Sequence, residues 1–265
     1  MSTAQIAILG AVAGFTIFLG LPLGRMRNPA PGLRAVLNAG AVGVLLFLLW
    51  DVLAHAWEPV DSALGGHRIG TALGDGLVLA VGLAVGLLGL VYVDRWIAGR
   101  AAPSGQTEDM SAPARAQRLA MLIALGIGLH NFAEGLAIGS SAAHGEIALA
   151  VLLIVGFGLH NATEGFGIVA PLAAAGVRPT WGRLALLGLI GGGPTLVGTL
   201  VGQRFTSDLV SIAFLALAAG SILYVVIELL AVGRRMAAKH VVTWGLFAGL
   251  MLGFVTDAVV TAGGA

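Results

Sequence analysis

Two histidines, two asparagines and two glutamates, set in otherwise apolar sequence, are the residues of this 265-residue chain best suited to chemistry. They fall in GIGLHNFAEG at 126–135 and in GFGLHNATEG at 156–165, the second copy displaced from the first by 30 residues. On a helix, His130, Asn131 and Glu134 stand at i, i+1 and i+4, which places them on one sector about one turn deep. His160, Asn161 and Glu164 repeat that arrangement. Imidazole suits Zn, Fe, Ni and Cu, and carboxylate and amide oxygens extend the range to Mn and Cd-like ions. There is no cysteine, so thiolate sites, disulfides and thiol redox chemistry are excluded, and any metal is held through N and O atoms. Two glutamates among these donors fit a two-metal site with shared carboxylates, and a single ion is the other possibility.

The elements that must position these residues are membrane helices. The chain is 58% hydrophobic and 10% charged, with a mean hydropathy of +0.96, against about 25% charged residues in soluble domains. Glycine, 41 residues, suits the close backbone approach that helix association in lipid requires. Apolar segments near the ~20 residues needed to cross hydrocarbon run over 5–23, 34–57, 70–93, 118–142, 146–171, 181–202, 208–232 and 241–262. The expected fold is therefore an all-α, polytopic bundle of eight transmembrane helices forming one domain over 1–265, with a loop at 94–117. No cleavable signal peptide is expected, because MSTAQIAILG lacks a basic start. Twelve of the 14 basic residues flank alternate loops, with Arg68 and Arg204 opposite. Basic loops stay cytoplasmic, so both termini are expected outside and the 94–117 loop inside. A net charge of +1 without a long basic run excludes a nucleic-acid partner; the expected surroundings are the lipid bilayer of the plasma (inner) membrane.

Glu134, Glu164, Glu228, Asp51 and Asp257 all lie inside predicted spans, and no Lys or Arg falls in the interior of one. An ionised carboxylate there costs about 2.5–3.5 kcal/mol on insertion scales, and a bound cation relieves that cost. Interhelical hydrogen bonding explains a single polar residue, at about 0.6 kcal/mol, but not two copies of His-Asn-x-x-Glu-Gly on adjacent antiparallel spans. Asp51, His55 and Glu58 form a stripe running outward in span two; Asp51 and His55 are a candidate way in for metal, and Glu58, ahead of Pro59, is expected at the interface. Asp75 fits a helix end in headgroup water, His144 and Glu146 a short outer loop, and His67 and His240 the surface. Asp257 has no evident partner in the sequence.

The motif pair resembles that of the ZIP (Zrt/Irt-like) metal transporters, whose fourth and fifth of eight spans carry His-Asn-x-Pro-Glu-Gly-type motifs. The resemblance covers essentially the whole chain and extends to an acid in span seven, Glu228 in LYVVIELL. It implies transport of divalent transition metals (zinc, iron, manganese or cadmium) toward the cytoplasm, through a site formed by His130, Asn131, Glu134, His160, Asn161, Glu164 and Glu228. It also implies metal as substrate with no fixed cofactor, and pairing as a homodimer. Ala133 and Thr163 stand where the family has proline, and Leu48 where some relatives offer a sulfur ligand. The rival reading is a membrane-embedded metalloenzyme with a di-metal centre. It is weakened by the absence of Glu-x-x-His and His-Glu-x-x-His from the sequence. A metal sensor would need a signalling domain, and none is visible.

Overall fold

The computed structural model describes residues 2–26, 31–101, 111–143, 147–204, 207–236 and 238–262, and every element among them is helical. The first span is α1 (Thr3–Phe15), α2 (Ile17–Gly20) and a 3-10 turn (Leu21–Arg25), followed by α3 (Pro31–Gly65), α4 (Ile69–Ala101), α5 (Ala112–Ala143) and α6 (Ile147–Ala174). The chain ends with α7 (Trp181–Gly202), α8 (Asp208–Met236) and α9 (Lys239–Ala262). Among the described residues seven segments have the length and apolarity to cross a membrane: the first span, α3, α4, α5, α7, α8 and α9. With α6, 28 residues long, the helices make the expected eight.

Two expected boundaries move. The second span was expected to end at 57, yet α3 continues through Glu58 and Pro59 to Gly65. Proline removes one helical hydrogen bond without ending the helix, here near its exposed end. Most of the expected 94–117 loop is also helix, since α4 runs to Ala101 and α5 begins at Ala112. His144 and Glu146 lie outside the described residues.

The helices sort into two groups. The first span packs on α6 and α7, and α5 packs on α6 and α7; α3 packs on α8 and α9, and α4 on α8. The groups meet chiefly where α5 crosses α8 and α3 crosses α6. Arg25, Arg34, Arg118, Arg183 and Arg235 mark one end of the bundle, called the basic end below. There the Arg25 guanidinium lies 4.8 Å over the Trp181 ring and donates to the Pro179 carbonyl.

Small residues set the crossings, and they do so twice. Gly135 of α5 packs against the backbone of Thr195 in α7, and Gly198 of α7 against that of Phe132 in α5. Likewise Gly165 of α6 packs against Ile17, and Gly20 against Ala162. The other group repeats the pattern: Gly43 of α3 meets Leu246 of α9, and Gly220 of α8 meets Leu83 of α4. The first three spans are thus repeated, with opposite direction, by the last three, and α5 is repeated by α6, the inverted-repeat plan common in transporters. α4 and α9 are the least covered spans, 11% and 17% buried in their most apolar windows against 67% for α5. Their exposed Leu73, Leu77, Val81, Val85, Trp244, Phe247 and Val255 suit contact with lipid.

Candidate metal site

The repeat brings the two motifs face to face. His130, Asn131 and Glu134 on α5, and Asn161 and Glu164 on α6, are buried, and His160 nearly so. One Glu134 oxygen, Oε1, lies 2.5 Å from His160 Nε2 and 3.0 Å from His130 Nε2. Glu164 Oε1 stands 3.8 Å from His130 Nε2. Ligand atoms of His130, Glu134 and His160 all lie within 4.8 Å of one another, close enough to share one ion. His130 thus stands between the two glutamates.

The asparagines are turned by their neighbours. Asn131 Nδ2 donates to the Gly191 carbonyl of α7 at 2.9 Å, and Asn161 Nδ2 to the Ala13 carbonyl of α1 at 3.1 Å. These are equivalent bonds in the repeat. Since an amide has its donor at one end and its acceptor at the other, anchoring the nitrogen presents the oxygen. Both Oδ1 atoms are buried without a hydrogen-bond partner, as are Glu134 Oε2 and both Glu164 oxygens. Buried acceptors are normally paired. Buried amide and carboxylate oxygens beside two imidazoles are the kind of donors that a cation satisfies.

Both motif helices run uninterrupted through Ala133 and Thr163, the positions where the family has proline. The Thr163 hydroxyl donates to the His160 carbonyl at 2.7 Å, one turn back. The break falls instead in the first span at Thr16, beside Ala13, whose carbonyl accepts from both Thr16 and Asn161. The motif glycines do packing work, since Gly135 and Gly165 face α7 and the first span as their glutamates face the cluster.

A cavity of about 930 Å³ reaches the cluster from the end opposite the basic one, lined by Ser141, Ser207 and Thr261 and then Asp51, His55, Asp257, His130, Glu134 and His160. Asp51 and His55 therefore lie on its wall, His55 Nδ1 being 3.4 Å from Asp51 Oδ1. Asp257, for which the sequence suggested no partner, shares that wall, and so does Leu48. Glu58, exposed, and Asp75, half-buried, line neither this cavity nor the one at the basic end, and His67 and His240 are exposed.

Glu228 is not in the cluster. It lines a separate cavity of about 570 Å³ at the basic end with Asp94, Arg118 and Tyr224, and no motif residue lines that space. The family resemblance implies Glu228 beside the motifs, but α8 carries it toward the basic end, beyond the crossing with α5. Nor is this carboxylate without a nearby cation: Arg118, at the start of the expected fourth span, lies well inside α5 and pairs with Asp94 at 2.9 Å. Asp94, in the expected 94–117 loop, stands inside α4 and shares a cavity wall with Glu228, a placement that only the tertiary structure decides.

A family model described as ZIP Zinc transporter matches residues 97–261. The chain belongs to the ZIP zinc transporter family. Zinc transporter ZupT of Escherichia coli O7:K1 (strain IAI39 / ExPEC) is 30% identical over 269 residues, covering 97% of this chain and 97% of that one. The ZupT proteins of Shigella dysenteriae serotype 1 (strain Sd197) and of Escherichia coli strain K12 / DH10B match to the same extent. ZIP membership accounts for the pairing of membrane-length helices with a buried His/Glu cluster.

Proposed function

We propose that this ZIP protein carries divalent transition-metal ions, zinc first, across the bacterial inner membrane toward the cytoplasm through the His130/Glu134/His160 cluster. Iron, manganese and cadmium fall within the same donor chemistry. The observation that carries the reading is the meeting of His130, Glu134 and His160, with ligand atoms within 4.8 Å of one another, on the wall of a cavity of about 930 Å³. The metal is substrate and no fixed cofactor takes part. Basic loops remain cytoplasmic, so the basic end faces inward, the large cavity outward, and both termini outside. A metalloenzyme with a di-metal centre has no support from the family.

A metal ion meets Asp51, His55 and Asp257 first and sheds water. Neutral His130 and His160 nitrogens and the Glu134 carboxylate then hold it. Glu164, with the oxygens of Asn131 and Asn161, offers a second, adjoining position beside His130, which supports a binuclear site. Protons compete for the same lone pairs and so assist release. Passage inward needs the two helix groups to shift so that the cluster meets the basic-end cavity and Glu228, in the manner of alternating access about a mid-membrane site. Pairing into a homodimer belongs to this reading, with the exposed apolar faces of α4 and α9 as the surface on offer.

Purified protein in proteoliposomes is expected to accumulate radiozinc down an inward gradient; no accumulation above empty vesicles overturns the proposal. Carboxylates at a mouth raise the local cation concentration. Asp51→Asn with Asp257→Asn is therefore expected to raise KM for zinc about five- to tenfold at low salt, with less effect on the maximal rate. An unchanged KM removes these residues from the way in.

A further inference from the structure

The internal repeat relates the two mouths of the pathway. The spacing that carries Gly43 onto Gly220 carries Asp51 onto Glu228, and the spacing that carries Leu83 onto Leu246 carries Asp94 onto Asp257. Each cavity is therefore walled by a carboxylate pair from equivalent positions, Asp51 with Asp257 at one end and Asp94 with Glu228 at the other. The pairs differ in the cation beside them. The Asp51/Asp257 cavity has no arginine or lysine among its described lining residues, and its nearest base is His55. At the basic end Arg118 Nε donates to Asp94 Oδ1 at 2.9 Å, both side chains being mostly covered, at 23% and 30% exposed.

We propose that Arg118 is a resident counter-cation of the Asp94/Glu228 mouth, which excludes a tightly held metal ion there and so lets metal leave. The inference rests on the transport reading. Guanidinium is charged at every physiological pH. The outer mouth thus keeps its full attraction for a divalent ion, and the inner one has part of its charge permanently answered. Two carboxylates with no such partner are good oxygen ligands for a divalent ion, and a pathway conducts only when its binding positions release as well as capture. Arg118 stands on α5, the helix that bears His130 and Glu134, while Asp94 and Glu228 belong to the other helix group. The ion pair therefore also bridges the two groups whose relative movement transport requires. Arg34, Arg115 and Arg235 line the same cavity and add to its positive potential.

Equilibrium dialysis with radiozinc on the full-length chain in detergent tests this. In a background carrying Glu134→Ala and Glu164→Ala, which removes the central cluster, adding Arg118→Gln is expected to gain about one tightly bound zinc per chain. Arg118→Lys gains none, and adding Asp94→Asn to Arg118→Gln abolishes the gain. In proteoliposomes, Arg118→Gln in the otherwise native chain lowers the maximal uptake rate about tenfold and changes KM less than about twofold; adding Asp94→Asn restores most of the rate. Arg118→Met carries the same expectations should Arg118→Gln misfold. Zinc binding by the arginine variants no greater than in the background overturns the proposal, as does a slowed rate that Asp94→Asn leaves unrestored. Since binding is read without transport, failure of the native chain to move zinc strikes the transport reading separately.

Discussion

Replacing Glu134 by alanine is expected to cut zinc uptake by more than about a hundredfold, beyond the 10- to 100-fold that loss of an outer-shell partner costs metal sites. Its Oε1 is the single atom that both imidazoles approach, at 3.0 Å from His130 and 2.5 Å from His160. Removing it leaves two nitrogens from antiparallel helices with no shared anion to offset a divalent charge. Glu164 touches the cluster only through His130, at 3.8 Å, so Glu164→Ala is expected to cost less, on the order of tenfold, as for a ligand of an adjoining position. The measurement is the initial rate of radiozinc uptake into proteoliposomes, normalised to protein that elutes as a folded species. A Glu134→Ala rate above a tenth of the native rate, or one indistinguishable from Glu164→Ala, would break the assignment of Glu134 as the central ligand.

Gly135→Leu is expected to unfold the bundle locally rather than to disturb the metal directly. A Cβ at Gly135 would lie against the Thr195 carbonyl, 2.8 Å from the Thr199 nitrogen and 2.9 Å from the Thr195 carbonyl carbon. All three are backbone atoms of α7 and cannot turn aside as a side-chain tip would. Overpacking costs about 1–3 kcal/mol even in adaptable cores. Here it also pushes apart two helices held by van der Waals packing, since lipid supplies no hydrophobic drive between them. The Asn131 bond to Gly191 lies on the same crossing, so metal binding falls with stability. Gly74→Leu is the control, because nothing lies within 4 Å of its Cβ position, and it is expected to stay within about 0.5 kcal/mol. Thermal unfolding in detergent compares the two; equal midpoints would show that the α5/α7 crossing tolerates a side chain and that Gly135 has another role.

Much of this protein was legible residue by residue, and what escaped did so for stated physical reasons. Hydropathy located the spans because helices in lipid must be long and apolar, but helices continue into water past the apolar stretch, so α3, α4 and α5 overran their expected limits. The motif pair was visible because identical spacing on adjacent antiparallel helices leaves few arrangements. The asparagines showed as polar residues, yet their pinning by Gly191 and Ala13 required carbonyls on other helices. The resemblance implies Glu228 beside the motifs, yet it lines the other cavity, because a residue's depth along one helix says nothing of which crossing lies above or below it. Asp94 and Asp257 gain meaning only beside Glu228 and Asp51.

By itself the sequence determined the solvent, the span count and the pairing of the His-Asn-x-x-Glu-Gly motifs, since these depend on composition and on spacings within one helix. It also carried the duplication of α5 in α6, where the two ten-residue copies keep seven identical letters. The larger repeat, relating the first three spans to the last three, was settled only by tertiary structure. What it conserves is a set of backbone contacts at Gly43, Gly220, Gly14 and Gly192, which many small residues satisfy and which leave no motif in the letters. The same holds for the cavities: whether a carboxylate faces metal, an arginine or lipid is decided by the helix lying opposite, and one strand of text does not say which helix that is.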